Sequence, residues 1–487
     1  MINLLLSTEL KNLWREKLIT WVVVISCACA TIAFFSGFNH SQQQHQVIQQ
    51  AKIEQAMALN KAAEGLEERL LKTKDIKWWQ DQYDLRGQAF YLMVNYASKP
   101  PLPTSPIATG QSDVLPYFFK MLVKEKQNII HQYDYQHPLK LMLGQFDLSF
   151  VIIYILPLLI IAVCFNALSQ ERQQGQLRLM LLQGANIKTL INMQILLRAS
   201  LVVGPFLIIS IFLLVTLQIG ISLSQIVSYI LIVISYTVFW LAISVWVISK
   251  GKTVANNAAK LMTIWLMLVI VLPAAINTGI NQLYPTPSRL HYLDELRHSA
   301  DEAKKASEKT LAAFFQDHPE LANQNKPADF ALKKIASINA IEKSMTHLDQ
   351  VFEQAKNTQQ TFADNFKFLS PATLVQAKLV SLAGNDLLRH HAFMKNVERH
   401  HSELQVFFSR EIAKANENND FSPCSGCSAN ATLKDLSTVP QFDSKFKTQT
   451  INLWSILALF ILSLSIWLYS QKQIIRIAQP QQSGVLV

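Results

Sequence analysis

Six long stretches of the chain contain no Asp, Glu, Lys or Arg. Charged residues make up only 16% of the 487 residues, and all of them lie outside these runs. A helix of about 18 or more apolar residues crosses the ~30 Å apolar core of a bilayer, and it satisfies its backbone polar groups internally. The runs therefore predict an all-α membrane protein with six transmembrane helices, and they exclude a soluble enzyme. They cover residues 18–38, 149–168, 201–219, 226–248, 261–280 and 451–469.

Glycine is scarce in the two large polar blocks that remain, 39–148 and 281–450. Between Ser288 and Asn418 the only glycine is Gly384, so little interrupts helix formation there. Both blocks also carry apolar residues at alternating steps of three and four, which is typical of paired helices. The blocks are therefore expected to be two large, mainly helical extracytoplasmic domains, with the first helix rising straight out of the first span. The apolar positions are Ala56, Leu59, Ala63, Leu66 and Leu70 in the first block, and Ile338, Ile341, Met345, Leu348 and Phe352 in the second.

Prolines interrupt this helical pattern in the first block. Pro100, Pro101, Pro103 and Pro106 lie within seven positions, and proline both removes a backbone donor and restricts the residue before it. We expect an extended linker at this point.

Basic residues exceed acidic ones by 44 to 34, but the excess lies beside the spans. The short segments 1–17, 169–200, 249–260 and 470–487 hold twelve Lys and Arg against three Glu, whereas the connector 220–225 is uncharged. Lys and Arg that flank spans are retained in the cytoplasm. Both termini are therefore predicted to be cytoplasmic. Because the rest of the chain is almost neutral, the net charge of +10 does not indicate nucleic-acid binding.

Motifs for catalysis are missing. Gly251-Lys252-Thr253 resembles the end of a phosphate-binding loop, but Trp246 stands at the position of the earlier glycine and no strand precedes it. The zinc-protease pattern HExxH does not occur. The apolar runs also lack the ionisable relays of a proton- or sodium-driven carrier. The chain is therefore predicted not to be an enzyme.

The cytoplasmic segment 169–200 contains a candidate contact surface. Residues 171–183 combine leucines and cations in the manner of an amphipathic helix. Gly184 is a helix stop, and a second helix from Asn186 is predicted to lead into the third span. This pattern suits either a cytoplasmic partner or the lipid surface, and periodicity does not decide between them.

A resemblance to type-2 ABC-transporter permeases covers residues 146–184, FDLSFVIIYILPLLIIAVCFNALSQERQQGQLRLMLLQG. Glu171, Gly175 and Leu177 match the Glu-x-x-x-Gly-x-Leu pattern of that family, although Gln176 replaces the Thr that often follows the glycine. The first residues, MINLLLSTELKNLWREK, are similar to the family's cytoplasmic interfacial amphipathic helix. HPLKLMLGQFDLSFV and LAGNDLLRHHAFMKNVERHHSELQVFF resemble a bacterial subfamily with two large outer domains, the second of uncharacterised function.

The resemblance implies the permease subunit of an ABC exporter in the bacterial inner (cytoplasmic) membrane. Such a subunit binds a separate cytoplasmic ABC ATPase and a second permease copy or paralogue, as a homodimer or heterodimer within membrane lipid. It binds no cofactor itself, since ATP and Mg belong to the partner ATPase. The alternative is a non-transporting membrane scaffold or sensor whose helical outer domains bind a partner protein. The implied ATPase-contacting residues are Glu171, Arg172, Gly175, Leu177 and Arg178.

Of the five cysteines, only Cys424 and Cys427 lie outside the apolar runs. They are predicted to face a compartment in which disulfides persist, so a local disulfide is the leading interpretation. A metal site that also uses His390 and His401, which fall on one helical face, is the alternative.

Three prolines, Pro157, Pro205 and Pro273, lie inside apolar runs. Each removes a helix hydrogen bond and bends the axis. They are either hinge points for alternating access or positions of simple packing, and the sequence does not separate these possibilities.

Overall fold

The structure is a computed structural model. It describes residues 17–71, 78–79, 84–127, 145–167, 169, 173, 186–250, 253–322, 328, 330–417, 438–444 and 452–478.

The described chain is mainly helical, with one small two-stranded sheet. The first five long or apolar helices are α1 (Lys17–Leu71), α2 (Leu148–Cys164), α3 (Ile187–Leu217), α4 (Leu223–Lys250) and α5 (Val254–Leu283). The remaining ones are α6 (Arg289–Lys305), α7 (Ser307–Asp317), α8 (Phe330–Phe366), α9 (Pro371–Leu382), α10 (Leu387–Glu417) and α11 (Trp454–Ala478). Strands β1 (Tyr96–Ser98) and β2 (Phe118–Lys120) pair antiparallel.

Five of these helices are long and apolar enough to cross a membrane: α1, α3, α4, α5 and α11. Helix α2 is apolar but shorter, and at 1.5 Å per residue its 17 residues extend about 25 Å. The chain is thus a multi-pass membrane protein. The sequence prediction of a longer second span, 149–168, exceeds the helix that the structure describes there.

Helix α1 runs without a break for 55 residues, from the first apolar run into the first polar block. This confirms the prediction that the helix continues straight out of the first span. Helix α3 likewise begins well before its apolar run, because the side chain of Asn186 accepts a hydrogen bond from the Lys188 amide and caps it. The predicted helix from Asn186 into the third span is also confirmed.

The apolar helices pack around α4, which is the most buried of the candidate spans. Trp240, Tyr229 and Tyr236 of α4 are among the largest fully buried side chains. Helix α5 lies at the periphery, since only 11% of its most apolar 18 residues are buried.

Arg198, one of the cations counted in segment 169–200, lies in the helix that was predicted to begin at Asn186. It is 8% exposed within α3, and its guanidinium donates hydrogen bonds to the Val163 carbonyl at 3.1 Å and to Asn166 Oδ1 at 2.8 Å. The charge lies at the C-terminal end of α2, where helix carbonyls lack intrahelical donors and favour a cation. Arg198 therefore caps the second apolar helix.

The two polar blocks share one hydrophobic core instead of forming separate units. Phe119 of the first block stacks on Phe393 of α10, with ring centroids 5.8 Å apart, and both are buried. The Asn95 side-chain amide also donates to the Pro440 carbonyl, 345 positions away. Together β1, β2, α7, α8 and α10 surround this core, which we call the outer unit.

The helical spacing in the second block has an intramolecular explanation. Ile341 and Met345 of α8 are buried against Tyr292 and Leu296 of α6. The pairing that this spacing predicts is therefore made with a neighbouring helix of the same chain.

The proline-rich segment is folded against the helices, in contrast to the extended linker that its sequence predicts. Ser105–Ile107 forms a buried 3-10 turn, and the Pro106 carbonyl lies so close to Gly37 of α1 that a Cβ there would collide with it. The Thr104 hydroxyl donates to the Leu382 carbonyl at 2.7 Å, at the end of α9. A close backbone contact therefore joins the segment to α1, and a hydrogen bond joins it to α9.

Candidate functional site

Two apolar helices are interrupted in the same way. In α2 a π-helical turn, Val151–Ile155, precedes Leu156-Pro157, and in α5 the turn Met267–Val271 precedes Leu272-Pro273. In each, the leucine amide donates to a carbonyl five residues back. A proline ring clashes with the carbonyl four residues back, and an inserted residue relieves that clash and bends the helix.

The proline in α2 leaves the Ile153 carbonyl without its usual helical donor, because Ile153 lies four residues before Pro157. The hydroxyl of Tyr236 on α4 donates to this carbonyl at 3.2 Å. Tyr236 is fully buried, so neither group has water as an alternative partner. Helix α4 therefore holds the bend in α2.

The bend in α5 is held from a different direction. Where a π-helical turn precedes a proline, the carbonyls four and five residues back both lack the proline's amide, and Leu268 lies five residues before Pro273. The hydroxyl of Ser370 donates to the Leu268 carbonyl at 2.7 Å. The same hydroxyl accepts a bond from the Thr373 amide and caps α9. Ser370 thus joins the start of α9 to the bend in α5.

Pro205 differs from the other two hinge candidates. It lies inside α3, which has no π-helical turn at that point. Of the three prolines predicted as possible hinges, two follow a π-helical turn, and in each case a hydroxyl group from another element donates a hydrogen bond to a carbonyl in that turn.

Helix α9 packs into the core of the apolar bundle, although it lies between α8 and α10 in the chain. Leu374, Val375 and Leu379 are buried in the same hydrophobic cluster as α2, α3 and α4. At its other end Gly384 adopts φ +69°, and a Cβ there would collide with Leu102. We call residues 359–382 the hairpin, because the end of α8 runs along α5 to its π-helical turn and α9 then runs back in the opposite direction, as detailed below.

The two histidines of the metal alternative lie on one face of α10, as predicted, but 11 residues apart. That spacing corresponds to about 16 Å along the helix, so one ion cannot contact both. His401 is buried, and its Nε2 lies 2.6 Å from the Lys124 carbonyl oxygen. Among the described residues no group of three or more His, Cys, Asp and Glu side chains could hold a metal ion.

His390 is also buried, and its Nδ1 has no hydrogen-bond partner in the described part of the chain. Burial, with smaller contributions from Lys99, His391 and Lys356, lowers the pKa of His390 to about 3. It is therefore a neutral imidazole within the outer unit.

His401 lies beside a polar cleft of about 470 Å³ in the outer unit. Its neighbour Glu342 accepts hydrogen bonds from the Lys126 amide at 2.9 Å and from the Gln405 side chain at 3.3 Å. Burial lowers the pKa of His401, partly opposed by the Glu342 carboxylate. Five Lys and Arg side chains and three Glu side chains line this cleft, so its lining carries a small excess of positive charge.

Several predicted site residues lie outside the described residues. They are the ATPase-contacting set Glu171, Arg172, Gly175, Leu177 and Arg178, and the cysteine pair Cys424 and Cys427. The predicted interfacial helix, 1–17, lies outside them as well, apart from Lys17.

Comparison with known proteins identifies one family. Residues 289–424, which include α6 to α10, match a domain of unknown function, DUF3526. Neither the curated proteins nor the solved structures contain a match. The matched region therefore includes the hairpin and much of the outer unit, and it carries no assigned activity.

Sequence reasoning missed Tyr236 and Ser370. The signal for Ser370 was available, since Ser followed by Pro371 is a typical helix start. Nothing near either residue in the sequence indicates that its hydroxyl bonds to a distant span.

Proposed function

We propose that this chain is the membrane-spanning permease subunit of an ABC exporter. In this proposal α2 is the sixth span, both termini are cytoplasmic, and the outer unit lies on the opposite side of the inner membrane. A separate cytoplasmic ATPase hydrolyses ATP with Mg, and its closure moves the bundle between inward-open and outward-open states.

The match of residues 289–424 to DUF3526 carries this proposal, because domains of this family occur in permeases of ABC transporters. The two bent helices support it further. At each proline one backbone hydrogen bond is already absent, so the helix changes its angle there more easily than elsewhere, which suits a span that must adopt two positions. The alternative, a non-transporting scaffold or sensor, needs no such bends.

Co-purification tests the proposal directly. The tagged chain is purified from the membranes of its own host, ABC ATPases that remain bound to it are identified, and Leu177→Asp with Arg178→Asp is compared with the unaltered protein. We expect loss of ATPase association and of stimulated hydrolysis, because the substitution places carboxylates on the docking segment.

Lys472→Asp in the cytoplasmic tail is the matched control, since it changes charge on the same side of the membrane but outside the docking segment. If the unaltered chain binds no ATPase, the exporter proposal is wrong and the scaffold remains. If it does bind but the double variant binds equally well, the docking assignment is wrong.

A further inference from the structure

The hairpin, residues 359–382, begins where α5 ends. The Gln359 side chain donates to the Tyr284 carbonyl at 2.6 Å, and the Tyr284 ring lies 5.6 Å from that of Phe362. Eleven residues after Gln359, the Ser370 hydroxyl bonds to the Leu268 carbonyl. Leu268 lies near the midpoint of α5. The end of α8 therefore runs antiparallel to the second half of α5, toward the middle of the apolar bundle.

Helix α9 then runs back outward. Its 12 residues extend about 18 Å, and its end at Leu382 bonds to Thr104, in the segment that packs at Gly37 near the end of the first apolar run. From Leu268 to Ile280, where the apolar run of α5 ends, the helical rise is also about 18 Å. Both lengths place Ser370 about 18 Å inside the outer edge of the apolar layer.

The turn of the hairpin exposes large apolar side chains. Phe368 is 58% exposed and Leu369 is 53% exposed, next to Phe366. Such residues are costly in water but stable against lipid. Their position at the deepest point of the hairpin indicates that this surface contacts acyl chains.

Charged groups of the same hairpin lie close to this turn. Lys367 Nζ donates to Asp364 Oδ1 at 2.8 Å, and the Asp364 side chain remains 48% exposed. Lys378 of α9 is near enough to interact electrostatically with both, yet no carboxylate lies within ion-pair distance of it in the described part of the chain. The three groups carry a net charge of +1.

Ionisable side chains at membrane depth are costly against lipid, so they lie against protein or line a water-filled cavity. Here the side-chain carboxylate of Asp364 is half exposed, and Gln376 and Ala377 beside Lys378 are exposed as well. The described chain supplies no protein that covers this surface. We propose that the hairpin is re-entrant and that its polar face, centred on Asp364, Lys367 and Lys378, lines an aqueous path in the outer half of the membrane that admits anionic groups.

Lys378 determines the preference for anions, because Lys367 is already paired with Asp364. This inference needs the bundle to be embedded in a membrane, but it does not depend on an ATPase partner. It deepens the proposed exporter function by assigning part of the path and the charge of what passes.

Cysteine labelling in membrane vesicles tests the path. All five native cysteines are replaced by alanine, and Ala377→Cys is exposed from the outer side to two membrane-impermeant methanethiosulfonates, one anionic and one cationic. The rate of each reagent with a small neutral thiol in solution gives the reference, and Ser307→Cys on the exposed part of the outer unit shows that both reagents reach the outer side. We expect Ala377→Cys to react with both, and roughly tenfold faster with the anionic reagent after normalisation, as one unit charge a few Å away would produce.

Adding Lys378→Gln to Ala377→Cys should remove most of that anionic preference. If Ala377→Cys is inert to both reagents while Ser307→Cys reacts, the path is dry and the proposal fails. If the two reagents react equally, with or without Lys378, the charge selectivity is refuted.

Phe368→Cys tests the depth of the hairpin. We expect it to be unreactive toward both impermeant reagents although its side chain is exposed, because lipid surrounds it. Reaction at the rate of Ser307→Cys would place the turn in water and overturn the re-entrant arrangement. None of these outcomes depends on whether an ATPase binds.

Discussion

Single hydroxyl groups hold the bends of two apolar helices. The positions of the bends could be predicted from the sequence, because Leu156-Pro157 and Leu272-Pro273 lie inside uncharged runs. The donors could not, since Tyr236 and Ser370 lie 83 and 102 positions from the carbonyls that they contact. A proline in the local sequence shows where a helix loses a hydrogen bond. Which group replaces that bond depends on the packing of the whole chain.

Tyr236→Phe should loosen the bend in α2. The substitution leaves the buried Ile153 carbonyl without a donor, and a net hydrogen bond contributes about 0.5–1.5 kcal/mol. Hydrogen–deuterium exchange of the amides in 151–158 should therefore accelerate by roughly three- to tenfold.

Tyr229→Phe on the same helix is the matched control. Its hydroxyl donates to Ser210 Oγ at 3.1 Å and contacts no carbonyl freed by proline. Equal acceleration in both variants would show that α4 packing, and not the Tyr236 hydroxyl, holds the bend.

His390 should make the outer unit less stable in acid. The fold lowers its pKa from 6.5 to about 3, so the unfolded chain binds the proton first. Its contribution is fully present above pH 6.5 and is lost as the pH falls toward 3, with a slope of at most about 1.4 kcal/mol per pH unit. The thermal midpoint of unfolding should therefore decrease when the pH is lowered from 7 to 5.

His390→Gln should reduce that fall, because glutamine does not titrate. His298→Gln is the control, since the His298 side chain is 65% exposed. An unchanged pH dependence in His390→Gln would assign the acid sensitivity to other groups.

Among the elements, the order of helices along the chain was easier to predict than their neighbours. The apolar runs located α1, α3, α4, α5 and α11, although α1 continues to Leu71 and α3 begins at Ile187, well outside their runs. Helix α9 was not predicted to join the bundle, because its sequence, PATLVQAKLVSL, is too short and too polar to read as a span. Its placement depends on Ser370 at one end and on the turn at Gly384 at the other.

Gly384→Ala should displace α9 from the bundle. Gly384 has φ +69°, which disfavours a Cβ, and the added atom would collide with Leu102. We expect a loss of about 1–3 kcal/mol of stability from the strained backbone alone, measured as a lower thermal midpoint of the purified full chain.

Gly279→Ala in α5 is the contrasting variant. Nothing lies within 4 Å of its added Cβ, and alanine favours a helix by up to about 1 kcal/mol over glycine. Its thermal midpoint should stay level or rise. If the thermal midpoint of Gly279→Ala falls as far as that of Gly384→Ala, then neither the collision with Leu102 nor the positive φ explains the effect at Gly384.

At the scale of the whole molecule, the two polar blocks form a single outer unit. The sequence predicts two domains because residues 149–280 lie between the blocks and because each block has its own helical pattern. Such long-range pairing leaves no local signature, since Phe119 and Phe393 are 274 positions apart. The composition of the blocks predicts that each buries a core, and only the structure shows that the core is shared.

A shared core should unfold as one cooperative transition. Phe119→Ala removes a fully packed aromatic ring from the first block, and such truncations cost about 3–5 kcal/mol. Because the ring stacks on Phe393, the loss should reach the second block. Limited proteolysis should then cleave α8 and α10 faster by the same factor as the segment around β1 and β2. Phe119→Leu, which keeps most of the apolar volume, should show a smaller acceleration at all of these sites. Faster cleavage confined to the first block would mean that the blocks are stable independently and merely touch at Phe119.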